Sequence, residues 1–458
     1  MHRTLVLNVV GLTPELLGEH TPKLSAFARA GGMRTLRTVT PAVTCSVQAT
    51  LTTGLLPREH GIVANGWYFR DLAEIWLWRQ SNKLVAGEKI WDAAKRRDPS
   101  FRCAKLFWWY NMYSSADIAV TPRPQYLADG RKMPDIYAEP PELRDALQHK
   151  LGQFPLFSFW GPNANVESSQ WIADCARHVF DAQQPTLTLV YLPHLDYCLQ
   201  KLGPQHPEIP AHLREIDAIC GALIEHARRG GARVIVCSEY GITQVRGPVH
   251  INRTLREAGL VRVREERGLE LLDAGASEAF AVSDHQLAHI YVRRPERVAE
   301  VRALLERLDG VERVLDHEGK REFALDHERS GELVALSHGD RWFSYYYWLD
   351  DARAPDFARM VEIHRKPGYD PAELFVDPKI ALPQLKIGWK LARKAAGFRM
   401  TMNVIPLDAG LVRGSHGRVT DRPEQGPLVM SSEPQLLPEG ELAAVGFKQF
   451  VLDHLFGG

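Results

Sequence analysis

Thr44 stands in PAVTCSVQATLTTGLLPREHGIVANGW (residues 41–67), where a helical stretch begins after a proline-containing entry. A hydroxyl at that point lies among the free backbone N–H groups of a helix N-terminus, a setting suited to an anion or to an activated nucleophile. The plain alternative is an N-cap, a common use of threonine before a helix. His194 and Asp196 lie two residues apart in PTLTLVYLPHLD (185–196). If that stretch is a strand to its end, both side chains face one way and can converge on one metal ion. His250 in GPVHINR, and His285 with His289 in SDHQLAHIY, add imidazoles that serve either as ligands or as ordinary hydrogen-bonded histidines. Arg79, Lys83 and Lys105 lie among the aromatic residues of WRQSNK and KLFWWYNMY, where a clamp on an anion competes with plain cation–π pairing.

The elements that must position these groups follow from the apolar patterning. Residues 5–10 form a short continuous apolar run closed by Gly11, and TPELLGEHTPKLSAFARAGG then reads as a helix stopped by Gly31 and Gly32. The same grammar recurs at 185–196 and in ARVIVCSEYGIT (232–243). Three strands thus end in polar tips, where open α/β sheets hold their ligands. The long aromatic-rich and Pro-rich span between the first two strands reads as elaboration over the site. AHIYVRRPERVAEVRALLERLDGVERVLD (288–316) reads as strand, helix, strand, part of a small α+β cap inserted at approximately 255–350 in one domain covering 1–458. IGWKLARKAAGFR (387–399) reads as a basic amphipathic helix, either a solvated face or a surface for phosphorylated or lipid-like ligands.

TGLLPREHG at 53–61, with Thr44 before it, resembles the alkaline phosphatase superfamily in its type I phosphodiesterase/nucleotide pyrophosphatase branch. The resemblance continues through HLDYCLQKLGP (194–204), VIVCSEYGIT (234–243) and GSHGR (414–418), in the family's order. It implies an α/β fold with helices around a central, mostly parallel sheet, and Thr44 as the nucleophile. Carried over residue by residue, it implies metal ligands at Asp196, Glu239 and His416. It also places Val10 at the first-strand aspartate, Gln200 at one histidine and Tyr240 at another. With His194 added, the remnant is oxygen-rich and suits one divalent ion, Mg²⁺ or Mn²⁺ more than Zn²⁺. Gln200 and Tyr240 become groups able to hydrogen-bond a ligand oxygen, with Tyr240 in a catalytic role. Arg365, Lys366, Arg413 and Arg418 bring positive charge near His416. Arg79, Lys83, Gln200 and Arg413 are the expected substrate contacts.

Lys+Arg and Asp+Glu are equal at 56 each over 458 residues, which removes the usual electrostatic case for a nucleic-acid or anionic membrane partner. The apolar run near the N-terminus is far shorter than the roughly 18–20 residues that span a bilayer, so no stable membrane anchor is expected. Six scattered cysteines without CxxC spacing fit a reduced, cytoplasmic protein. The expected function is metal-assisted phosphoryl-transfer hydrolysis, as phosphodiesterase or phosphatase, of a small phosphorylated molecule. The altered ligand positions keep two alternatives open: a metal-free isomerase, lyase or transferase, and a ligand-binding protein without turnover.

Overall fold

The computed structural model describes residues 1–128, 131–398 and 400–457, with the side chain of Lys394 also left out. A nine-stranded sheet organises the chain, and its five central neighbours all run parallel. Strand β1 (Thr4–Val9) lies between β2 (Leu187–Leu192) and β3 (Arg233–Cys237). All residues of β1 and β2 are buried, as helices on both faces require. Within β1, Asn8 is a polar side chain set among apolar neighbours, opposite Tyr191 on one side and Cys237 on the other. Antiparallel strands close both ends of the parallel set, Leu428–Ser431 beside β3 and Ile136–Glu139 beside Ile118–Pro122.

The helices that follow the strands carry the polar tips. Helix α1 (Thr44–Thr53) is buried along its whole length and ends at Gly54, whose φ of 73° is the left-handed stop that glycine adopts without a Cβ clash. After β2 the chain turns directly into α2 (His194–Leu202) and then α3 (Ile209–Arg229). Gly11, at φ 79°, brings the end of β1 beneath α2, and a Cβ there would meet Leu199 Cδ1 at 3.2 Å. Glycine is required on both counts.

A second, four-stranded antiparallel sheet (Ala279–Asp284, Leu287–Val292, Leu333–Ser337, Val311–Leu315) falls inside the 255–350 stretch, with helix Val298–Leu305 before its edge strand. It contributes to a separate apolar core that includes Val282, Ile290, Leu333 and Trp342. Its first hairpin turns at His285 and Gln286, and His285 takes a φ of 60° that is costly for a residue with a Cβ. The basic helix runs over Pro383–Ala395 rather than 387–399, and Arg399 lies outside the described residues. No helix among the described residues is long and apolar enough to cross a membrane, and the six cysteines are free and buried.

Candidate active site

Thr44 is the first helical residue of α1, with Val43 as the N-cap, so its hydroxyl is not spent on capping. Thr44 Oγ1 lies 3.0 Å from the hydroxyl of Tyr240, which in turn donates to Asp196 Oδ1 at 3.2 Å. The three groups are buried and come from three elements: α1, the loop after β3, and α2. The sheet brings them together because all three elements leave or enter at the C-terminal edge of the parallel strands.

Each carboxylate faces uncharged donors. Asp196 Oδ2 accepts from the Gln200 amide at 3.0 Å, and Gln200 Oε1 accepts from Tyr369 Oη at 2.8 Å. Glu239 Oε1 accepts from Asn8 Nδ2 at 2.5 Å and from Gln48 Nε2 at 2.6 Å. Burial pushes the Asp196 carboxyl up to about 7, with the Tyr240 and Gln200 hydrogen bonds pulling the other way. Burial likewise pushes Glu239 up to about 8, opposed by the bonds from Gln48 and Asn8 and reinforced by the nearby Asp196 charge. Desolvation, not a neighbouring charge, leads in both.

Above them runs a stack of four rings. Tyr240 lies on His416 at 3.7 Å and 6°, His416 on His285 at 3.7 Å, and His285 on Tyr369 at 3.7 Å. The Nδ1–H of His416 donates to the Ala42 carbonyl at 2.8 Å, which fixes the neutral tautomer and leaves the Nε2 lone pair without a donor, 3.6 Å from Asp196 Oδ1. His285 is held by Asp284 at 2.7 Å, and Asp284 accepts both the backbone and the side-chain amide of Asn65. Asn65 Oδ1 then accepts from the N–H of Cys45, next to Thr44. The first hairpin of the second sheet therefore reaches the helix of Thr44 through three hydrogen-bonded residues.

Several expectations need correction. Position 10 is not the first-strand functional position: β1 ends at Val9, and Asn8, two residues earlier, bonds Glu239. His194 does not join Asp196, because PHLDYCLQ is helix rather than strand; residues two apart on a helix diverge. Its ring instead meets His212 and Glu215 of α3. Lys105 is buried and donates to the Trp109 and Tyr110 carbonyls, with burial lowering its pKa to about 7, so it holds the aromatic loop rather than a ligand. Arg79 and Lys83 are exposed and lie over the rings of Trp76 and Tyr113, while the side chain of Arg413 is exposed although its N–H is bonded to the Gln200 carbonyl. Lys366 is buried between Asp370 and Glu373, at 2.7 Å from each, and braces the loop bearing Tyr369. His289 and His250 are structural, bonded to Val63 and Ser344.

Asn8, Gln48, Asn65, Asp284 and Tyr369 escaped the sequence reading. Two of them left a signal: Asn8 is a lone polar residue in an apolar strand, and Gln48 is four residues after Thr44 on the same helix face.

The donor set decides which ion fits. Among the described residues, Asp196, Glu239 and His416 do not form a group whose ligand atoms all lie within 4.8 Å of one another. Asp196 is engaged on both oxygens, and Gln200 presents an N–H₂ where a ligand would have to offer a lone pair. An imidazole-rich zinc pair does not fit this set. On the other side of Tyr240, Glu239 Oε2 and Asn8 Oδ1 are buried oxygens that receive no hydrogen bond. Carboxylate and amide oxygens are the donor types that a hard cation of the Mg²⁺ kind takes.

A family model described as type I phosphodiesterase / nucleotide pyrophosphatase matches residues 4–370. An uncharacterized pyrophosphatase/phosphodiesterase of Schizosaccharomyces pombe is 26% identical over 212 residues, 44% of this chain and 36% of its own length. The chain thus spans about a third of that curated relative. Phosphonoacetate hydrolase from Sinorhizobium meliloti, solved with phosphonoformate, superposes with a TM-score of 0.63 at 16% identity, covering 99% of this chain and 96% of that one. Murine ectonucleotide pyrophosphatase/phosphodiesterase 5, an inactive variant solved with AMP, gives 0.59 at 15% identity, covering 99% and 95%. At these identities the two structures establish a shared fold.

Proposed function

Because the chain belongs to the type I phosphodiesterase/nucleotide pyrophosphatase family, we propose that it hydrolyses a phosphoester of a small organic molecule through Thr44. The observation that carries this reading is the hydrogen-bonded line from Thr44 through Tyr240 to Asp196. In the first step the Thr44 oxygen forms a bond to phosphorus as the bond to the leaving alkoxide breaks. The Thr44 proton passes to the Tyr240 oxygen while the Tyr240 proton passes to Asp196. The leaving alkoxide takes a proton from solvent. In the second step the water oxygen forms a bond to phosphorus as the Thr44 O–P bond breaks, Thr44 recovers its proton from Asp196 through Tyr240, and the proton shed by the attacking water goes to solvent. A carboxyl poised at about 7 is matched to accept and release that proton near neutrality.

Glu239 Oε2 and Asn8 Oδ1 would hold a hard divalent cation, whose chemistry is to neutralise charge on the phosphoryl oxygens. Asn8 and Gln48 orient the Glu239 carboxylate by fixing its other oxygen. The ring stack orients Tyr240 and excludes water from its face. The likeness to structures solved with phosphonoformate and AMP supports a small phosphoryl-bearing substrate.

The test is turnover of a p-nitrophenyl phosphodiester series by the full chain and by Thr44→Ala. Loss of about a thousandfold or more in kcat with an unchanged fold supports the reading, since a removed nucleophile takes covalent catalysis with it. Full activity in Thr44→Ala overturns it.

A further inference from the structure

We propose a second metal site, on the opposite face of α2 from Asp196, formed by His194, Cys198, His212 and Glu215. His194 and Cys198 are four apart on α2, and His212 and Glu215 three apart on α3, the two spacings that stack side chains on one helix face. The ligand atoms of His194, Cys198 and His212 all lie within 4.8 Å of one another. His194 Nε2 is 3.2 Å from His212 Nδ1, and Glu215 Oε2 is 3.1 Å from the first and 3.2 Å from the second. A tetrahedral ion with bonds of about 2.0–2.1 Å holds its nitrogen and oxygen ligands about 3.3 Å apart, the size of this triangle.

Linear hydrogen bonds cannot satisfy three such atoms mutually, whereas one ion can. Cys198 Sγ and the His194 ring are buried and Glu215 is at the surface, so the site is closed on the protein side and reachable at its rim. Two imidazoles and a thiolate are three ligands of the structural zinc type, and the Glu215 carboxylate, in contact with both rings, is the candidate for the fourth. Binding takes both rings neutral, with lone pairs at His194 Nε2 and His212 Nδ1, and releases the Cys198 thiol proton to solvent. The ion would tie α2 to α3 and so fix the helix whose other face carries Asp196 and Gln200. This site stands independently of the phosphoesterase reading.

The probe is Co²⁺ added to the chelated full chain. The expected result is an intense tetrahedral visible spectrum with a sulfur-to-cobalt charge-transfer band, which Cys198→Ala removes and which Asp196→Asn retains. His212→Ala, at a half-buried position that tolerates truncation, is expected to weaken Co²⁺ binding at least tenfold and to abolish the rise in Tm produced by Zn²⁺. Absence of the charge-transfer band in the wild type, or its survival in Cys198→Ala, overturns the site. Unchanged Co²⁺ affinity in a folded His212→Ala does the same.

A separate observation concerns the basic helix Pro383–Ala395. Residues 378–407 hold six cations (Lys379, Lys386, Lys390, Arg393, Lys394, Arg399) and no Asp or Glu, in a chain whose 56 Lys+Arg and 56 Asp+Glu balance as a whole. Leu385 and Trp389, four apart on this helix, are both 67% exposed, and Leu382 just before it is 62% exposed, with Leu391 and Phe398 exposed as well. Ile387 packs against the small core of Ala372, Val404 and Ile405, which seats the helix on the surface. Lys386 and Lys390 donate to the Asn403 and Thr401 carbonyls, while Lys379 and Arg393 are exposed. We infer that this face docks reversibly on an anionic lipid surface, the apolar row entering the interface and the exposed cations Lys379 and Arg393 meeting headgroups.

The probe is a vesicle of phosphatidylcholine with one third phosphatidylglycerol. Sedimentation of the full chain is expected to be at least tenfold stronger with it than with pure phosphatidylcholine, and to be lost in Leu385→Glu/Trp389→Glu and in Lys379→Glu/Arg393→Glu. Binding that ignores lipid charge overturns the inference, as does self-association without vesicle binding, which would make the face a contact between copies.

Discussion

The Tyr240 hydroxyl donates to Asp196 Oδ1 across 3.2 Å while lying 3.0 Å from the Thr44 oxygen, so a phenol joins the candidate nucleophile to a carboxyl group. The link makes activity depend on one ionisation. Asp196 accepts a proton only when ionised, and burial sets that event at about 7. The kcat/KM profile is therefore expected to rise with pH through about 7, and Asp196→Asn to lose that limb. Tyr240→Phe, which breaks the line without changing charge, is expected to lower kcat by about 10²–10⁴-fold. The double variant should be little worse than either single one, because the two residues act as a unit.

Glu239 yields a stability prediction of opposite sense to that of a paired surface carboxylate. Its folded pKa, about 8, lies above the ordinary 4.5. The folded chain keeps a proton that the unfolded chain releases, so this contribution is present below about 4.5 and is lost as pH rises through about 8. In the presence of a chelator, Glu239→Gln, which is neutral at every pH, should match the wild type at pH 4 and exceed it at pH 9. The gain is on the order of 1–3 kcal/mol. Urea unfolding at the two pH values measures it; equal stability at pH 9 would show that Glu239 ionises without penalty.

Tyr369→Phe removes the one donor to Gln200 Oε1 while keeping the ring on His285. A buried acceptor left unpaired costs about 1–3 kcal/mol, readable as a lower denaturation midpoint with an unchanged m-value. The same variant frees Gln200 to turn, so the Asp196 limb of the pH profile should move as well.

Lys366→Met leaves Asp370 and Glu373 buried without their shared cation. Breaking a buried ion group from one side costs about 3–5 kcal/mol, far more than the methionine's apolar contacts return. Thermal unfolding should show the loss. Replacing all three residues by apolar ones of similar size should recover much of it.

Local patterning determined the strands, the helix at Thr44 and the strand–helix–strand unit in the cap, because short apolar runs and glycine stops are written into consecutive residues. Position in a motif also placed Thr44, Asp196, Glu239, Tyr240 and His416 at strand ends, and the parallel sheet gathers four of them with little further information. Periodicity did not determine where β2 stops: Pro193 begins a helix that turns His194 away from Asp196, so a one-element difference moved a ligand to another face. Nor did local pattern reveal that Asn8 meets Glu239 across 231 positions, that Lys105 ends on carbonyls, or that a hairpin tip lays His285 between His416 and Tyr369. Those relationships are set by which surfaces pack where the second sheet meets the first. Packing acts between residues remote in sequence, and it decided which polar groups share a buried volume and so which protons they hold.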